Sequence, residues 1–94
     1  MTVATGADAF DKAGAVLSSE DMYRMGLEAS TGGETGEFDL ITAHKWFNLA
    51  AMLGSAEARA YRAELANEMT AEEIAEAQRQ ARAYIAGQRA SQAA

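Results

Sequence analysis

The chain has 94 residues, enough for one domain and too few for a second of ordinary size. Hydrophobic residues make up 49% of it, which excludes wholesale disorder, and the absence of cysteine excludes disulfides, thiolate metal sites and thiol catalysis. Eight Lys+Arg against 14 Asp+Glu give a formal net charge of −6, so phosphate backbones and anionic lipid are disfavoured partners, whereas a protein with a basic patch is not.

Alanine dominates the apolar residues, valine is scarce and proline is absent. Ala is the best helix former and β-branched residues favour strands, so the composition points to an all-α fold. No apolar run reaches the ~20 residues needed to span a bilayer. Met1 to Gly6 has neither a basic n-region nor a long apolar h-region, and a cytoplasmic location is the expectation.

Residues 1–18 form a lead-in in which Asp8 to Leu17 is a short helix candidate weakened by Gly6 and Gly14. The first firm helix begins after Ser18, a cap residue followed by the acids Glu20 and Asp21. Met22, Met25, Gly26 and Ala29 make one stripe of it, with Tyr23 and Leu27 alongside. Gly26 sits mid-helix at a cost of about 1 kcal/mol against Ala, which suggests close approach of a neighbouring helix. Ser30 to Glu37, with Gly32, Gly33 and Gly36, is a loop.

Asp39 caps a second helix that runs to about Leu53 and stops at Gly54, placed as a C′ glycine. At about 100° per residue, Leu40, Ala43, Phe47, Ala50 and Ala51 share a face, and Trp46, Leu49 and Leu53 occupy the adjoining one. Apolar residues cover more than half of the circumference, the pattern of a helix packed on two sides. His44, Lys45 and Asn48 form a remaining polar strip, with Ile41 and Met52 caught inside it.

Ser55 caps a third helix carrying Ala58, Tyr61, Leu65 and Met69. Thr70-Ala71-Glu72-Glu73 is a capping box that starts a fourth helix, read from Ala71 to about Gln88. The narrow stripe Ile74, Ala77, Ala81, Tyr84 and Ile85 on a Glu, Gln and Arg background makes that helix amphipathic. The helical domain is thus expected over residues 19–89, with 90–94 as a frayed tail.

The residues Tyr23, Met25-Gly26, Gly32, Asp39, Ala43, Trp46, Ala50-Ala51, Gly54 and Ala58 resemble the Sel-one-like repeat, a helical relative of the tetratricopeptide repeat. The likeness is strongest over residues 39–51, and residues 69–79 resemble the capping helix that follows the last repeat in bacterial members. Ala29 stands where the family has an aromatic, Gly32-Gly33-Glu34-Thr35 replaces its G-x-G-V loop, and only one full repeat is present. The resemblance implies an all-α fold of tetratricopeptide-like α/α hairpins. That means about four helices in two antiparallel pairs, a short right-handed solenoid fragment. It further implies an adaptor or scaffold without chemistry of its own.

Candidate chemistry is sparse. His44 is the only histidine; no partner is forced on it by spacing, and the expectation is a solvated or hydrogen-bonding surface residue. Glu72, Glu73 and Glu76 suit the first turns of a helix better than a carboxylate site, and Glu76 pairs naturally with Arg79. Glu34, Glu37 and Asp39 lack the ligand order of a calcium loop, and Gly32-Gly33 with Gly36 lacks the strand and lysine of a phosphate cradle. No cofactor or metal is therefore expected.

Trp46 and Phe47 read as core, given the apolar arc around them, with exposed anchors for a partner as the alternative. The set Ile41, Lys45, Asn48 and Met52, with Tyr23, reads either as an exposed partner-binding strip or as a face packed against the lead-in or the fourth helix. The function expected is a non-catalytic protein–protein interaction module. The alternative is a structural homo-oligomer built by stacking repeat faces; an enzyme comes third, for want of a nucleophile–base pair.

Overall fold

The computed structural model of the chain describes residues 17–93. Among them are four α-helices and no strand: α1 Ser19–Thr31, α2 Leu40–Met52, α3 Ala56–Ala66 and α4 Ala71–Ala93. The lead-in before Leu17 lies outside the described residues.

Each helix starts where a short polar side chain can satisfy a free backbone N–H. Ser18 Oγ accepts from Asp21 N at 3.0 Å while the Asp21 carboxylate accepts from Ser18 N at 3.0 Å, a reciprocal box. Asp39 accepts from Thr42 N at 3.1 Å and Ser55 Oγ from Ala58 N at 3.0 Å. Thr70 and Glu73 form the predicted box, with bonds of 2.9 and 3.1 Å. Each such cap contributes about 1 kcal/mol. α1 ends at Gly32, whose φ of +92° is left-handed, and a Cβ there would lie 2.4 Å from the Gly36 carbonyl carbon. The loop then folds back, and Asp39 N donates to Ala29 O at 2.9 Å, which sets the start of α2 beside the end of α1.

α1, α3 and α4 all pack on α2. Gly26 lies against Phe47, Met22 beside Leu49 and Leu53, and Ala29 beside Asp39, so α1 and α2 run antiparallel. Leu53, Gly54 and Ser55 turn the chain into α3, with Gly54 at φ +104° as the expected C′ glycine. α4 returns alongside α2 in the same direction: Ile41 and Glu73 share a groove, Trp46 meets Tyr84, and Met52 lies near Gln88.

Two adjacent aromatics divide the core between them, because successive residues on a helix point about 100° apart. Phe47, fully buried, stacks on Tyr61 of α3 (centroids 5.4 Å, planes 16° apart) and meets Tyr23 of α1 at 6.1 Å. Trp46 faces the other way and packs edge-on against Tyr84 of α4 at 5.2 Å. Ala43, Ala50, Ala58 and Ala81 complete the core and let the helix axes approach.

Two expectations are corrected. His44 is not a surface residue: it is 3% exposed. On the wheel it lies between Leu40 and Asn48, an arc that α3 covers, as the bond from Arg62 to Asn48 shows. The fourth helix does not stop near Gln88 but continues to Ala93, through Gly87. Ala86 and Ala90 favour helix on either side of that glycine, and Gln88 Nε2 bonds Tyr84 Oη at 3.2 Å across it.

Candidate functional site

The partner-binding strip expected on α2 is dispersed by the packing. Tyr23 is half-buried, its ring 6.0 Å from Tyr61 and its hydroxyl pushed up in pKa by burial, with Tyr61, Glu57 and Glu20 adding to the effect. Ile41 is half-buried at the start of α2, in a groove it shares with Glu73 of α4. The Lys45 ammonium lies 4.4 Å from the Trp46 ring centroid and 5.9 Å from that of Tyr84, a cation–π pairing that seals the α2–α4 seam. Asn48 Oδ1 accepts from Arg62 Nη1 at 2.6 Å and ties α2 to α3. Of the five, only Met52 stands well out into solvent, at 60% exposure.

Met52 belongs to a different surface. It forms one lip of an apolar cleft of about 200 Å³ between α2 and α4, with Met22 of α1 at its floor. Leu49, Leu53, Tyr84 and Ile85 supply the remaining apolar lining. The polar groups at its edge are Gln88, which holds the Tyr84 hydroxyl, and Arg89. Leu53, the C-cap of α2, is 52% exposed. Local geometry accounts for the cleft: Gly54 ends α2 and diverts the chain to α3, while α4 continues past that point as a wall. The last turns of α2 are therefore flanked by α1 at Met22 and by α4 at Tyr84 and Ile85, and Met52 and Leu53 stay exposed between them.

Apart from that pair, Phe38, exposed at 64%, precedes α2 at the far end of the molecule. It lies in a shallow groove bordered by the acids Glu37, Asp39 and Glu73, of about 590 Å³ and open to solvent. Neither Phe38 nor the cleft was foreseen from the sequence. For Leu53 a signal did exist: it is the last apolar residue before a helix-ending glycine, where a partner helix has least reason to cover it.

Several polar groups are engaged structurally. Glu76 receives Arg79 Nε and Nη2 at 2.9 and 2.6 Å and Gln80 Nε2 at 2.9 Å; these bonds hold its carboxyl at about 2. Arg24 pairs with Glu20 at 3.4 Å on the surface of α1. Among the described residues there is no group of three or more His, Cys, Asp or Glu placed to hold a metal ion. No helix among them is long and apolar enough to cross a membrane. The lone histidine is shut into the core, so no imidazole stands at either groove as a base.

No family model, curated protein or solved structure matches this chain in the three comparisons made.

Proposed function

We propose that the chain is a non-catalytic protein-interaction module, an adaptor or scaffold of the Sel-one-like, tetratricopeptide-like kind, with α1 and α2 as its repeat and α3 and α4 completing a short solenoid fragment. It takes an amphipathic helix of a partner protein into the cleft between α2 and α4. The observation that carries this is the pair Met52 and Leu53, exposed and adjacent on the lip of an apolar cleft whose floor is already formed by Met22, Leu49 and Ile85. A helix docked there would bury side chains that water now surrounds, at roughly 25 cal/mol per Å² of apolar area. The polar groups at the edge, Gln88 and Arg89, suit an acidic or neutral flank on the partner helix.

The test is affinity capture with the full chain and with Leu53→Asp in parallel, circular dichroism confirming that both are folded. A specific protein recovered by the first and lost with the second supports the proposal. Equal recovery by both contradicts it.

A second reading, the structural homo-oligomer, rests on the same exposed pair: two copies could cover each other's clefts. Light scattering over a wide concentration range separates the two. A monomer at every concentration favours the adaptor, and a dimer that Leu53→Asp dissociates favours self-assembly.

A further inference from the structure

His44 is the chain's single histidine, and the interaction surface makes no use of it. It is placed on α2, which every other helix packs against, and is nearly closed to water. Its Nδ1 is buried without a hydrogen-bond partner. A neutral imidazole can leave one nitrogen as an idle acceptor at modest cost. The doubly protonated ring cannot, because both nitrogens then carry N–H and the extra proton brings a positive charge. At His44 that would create a donor with no acceptor, inside a core, next to a cation. The cation is Arg62 of α3, fixed in place by its 2.6 Å bond to Asn48 one turn along α2.

We propose that His44 is an acid-sensitive latch between α2 and α3: the neutral ring lets the two helices close, and a second proton drives them apart. Burial and the neighbouring cation push the same way. Burial first and Arg62 second hold the ring below the ordinary histidine range. Among the described residues no carboxylate of α1, α3 or α4 acts on the ring to offset them.

The direction follows from proton counting. The folded chain holds the ring's pKa below the value of about 6.5 at which the unfolded chain protonates it. Below that value the unfolded state binds one more proton. Stability is therefore complete above about pH 6.5 and declines as the pH falls through it toward the folded value, by at most about tenfold in the unfolding equilibrium per pH unit. Ordinary carboxylates titrate near pH 4, so between about pH 5.5 and 7.5 the histidine acts almost alone.

The experiment follows the full chain by urea unfolding at several pH values from 5.5 to 7.5, with the His44→Gln variant alongside. In parallel, the imidazole Cε1–H signal of the native chain and of the urea-unfolded chain is titrated by NMR. The latch predicts an unfolding equilibrium that rises by up to about tenfold per unit on acidification in the native chain and stays flat in the variant. It also predicts an imidazole midpoint lower in the folded chain than in the unfolded one. A flat native profile, a slope that survives in the variant, or a folded midpoint equal to or above the unfolded one overturns it. Should His44→Gln fail to fold, the two NMR midpoints decide the matter alone.

Discussion

Gly26→Ala sets two effects against each other. In the middle of α1 the added methyl raises helix propensity by about 1 kcal/mol, and on propensity alone the variant is the more stable protein. The packing says otherwise. A Cβ on Gly26 would stand 2.6 Å from both Cδ1 and Cε1 of Phe47, about 1 Å inside the ordinary carbon–carbon contact of ~3.5–4.0 Å. Phe47 has nowhere to retreat: it is fully buried, stacked on Tyr61 and flanked by Tyr23. α1 must then shift away from α2, an overpacking cost of roughly 1–3 kcal/mol, and the confinement of Phe47 places it toward the upper end. The expected net loss is about 1–2 kcal/mol, or roughly 4–15 °C in melting temperature for a domain of this size. Gly87 is the internal control. It too lies inside a helix, but a Cβ there meets nothing within 4 Å, so Gly87→Ala should stabilise by about 0.5–1 kcal/mol. Urea unfolding followed by far-ultraviolet circular dichroism reads both variants. Two variants that change stability in the same direction would refute the packing account of Gly26. Should Gly26→Ala alone destabilise, combining it with Phe47→Leu should cost less than the sum of the two single changes, since both act on one contact.

Trp46→Ala removes the ring that joins α2 to Tyr84 of α4 and the platform for Lys45, at a cost of about 3–5 kcal/mol, enough to unfold a domain of this size. Loss of the cooperative thermal transition by circular dichroism is the expected result, and a melting curve like that of a surface variant would count against burial. Thr70→Ala opens the capping box of α4 and should lower stability by about 1 kcal/mol in urea, with little change in spectrum. Leu53→Asp replaces an exposed apolar residue at a helix C-cap and should leave stability within about 0.5–1 kcal/mol of the native chain. A larger loss would mean that Leu53 belongs to the core and not to a surface.

The helix starts were legible because they are local chemistry. Ser18, Asp39, Ser55 and Thr70 each reach a backbone N–H three residues on, whatever the tertiary fold. The two-sided burial of α2 was legible for a related reason, since apolar residues around most of a helix require neighbours around most of it. The polar strip was another matter. A wheel ranks side chains by polarity, but Lys45 brings its ammonium over the Trp46 and Tyr84 rings, and Asn48 bonds Arg62 fourteen positions away. Those long-range partners turn an apparent surface into a seam, and they enclose His44 with it. The cleft was invisible for a geometric reason: it depends on how the end of α2 and the late turns of α4 sit side by side, and residues about thirty positions apart in sequence, such as Met52 and Ile85, carry no local sign of that. The tetratricopeptide-like arrangement and the binding role stay proposals built on the resemblance and on the exposed pair Met52 and Leu53.

The most direct test of the interaction account is site-specific photocrosslinking in living cells, with a benzophenone amino acid in place of Leu53 and, separately, of Arg59 on the outer, exposed side of α3. The account predicts a discrete crosslinked protein from position 53 and none from position 59. The absence of a crosslink at 53, or the same products from both positions, would contradict the assignment of the α2–α4 cleft as the surface through which this protein works.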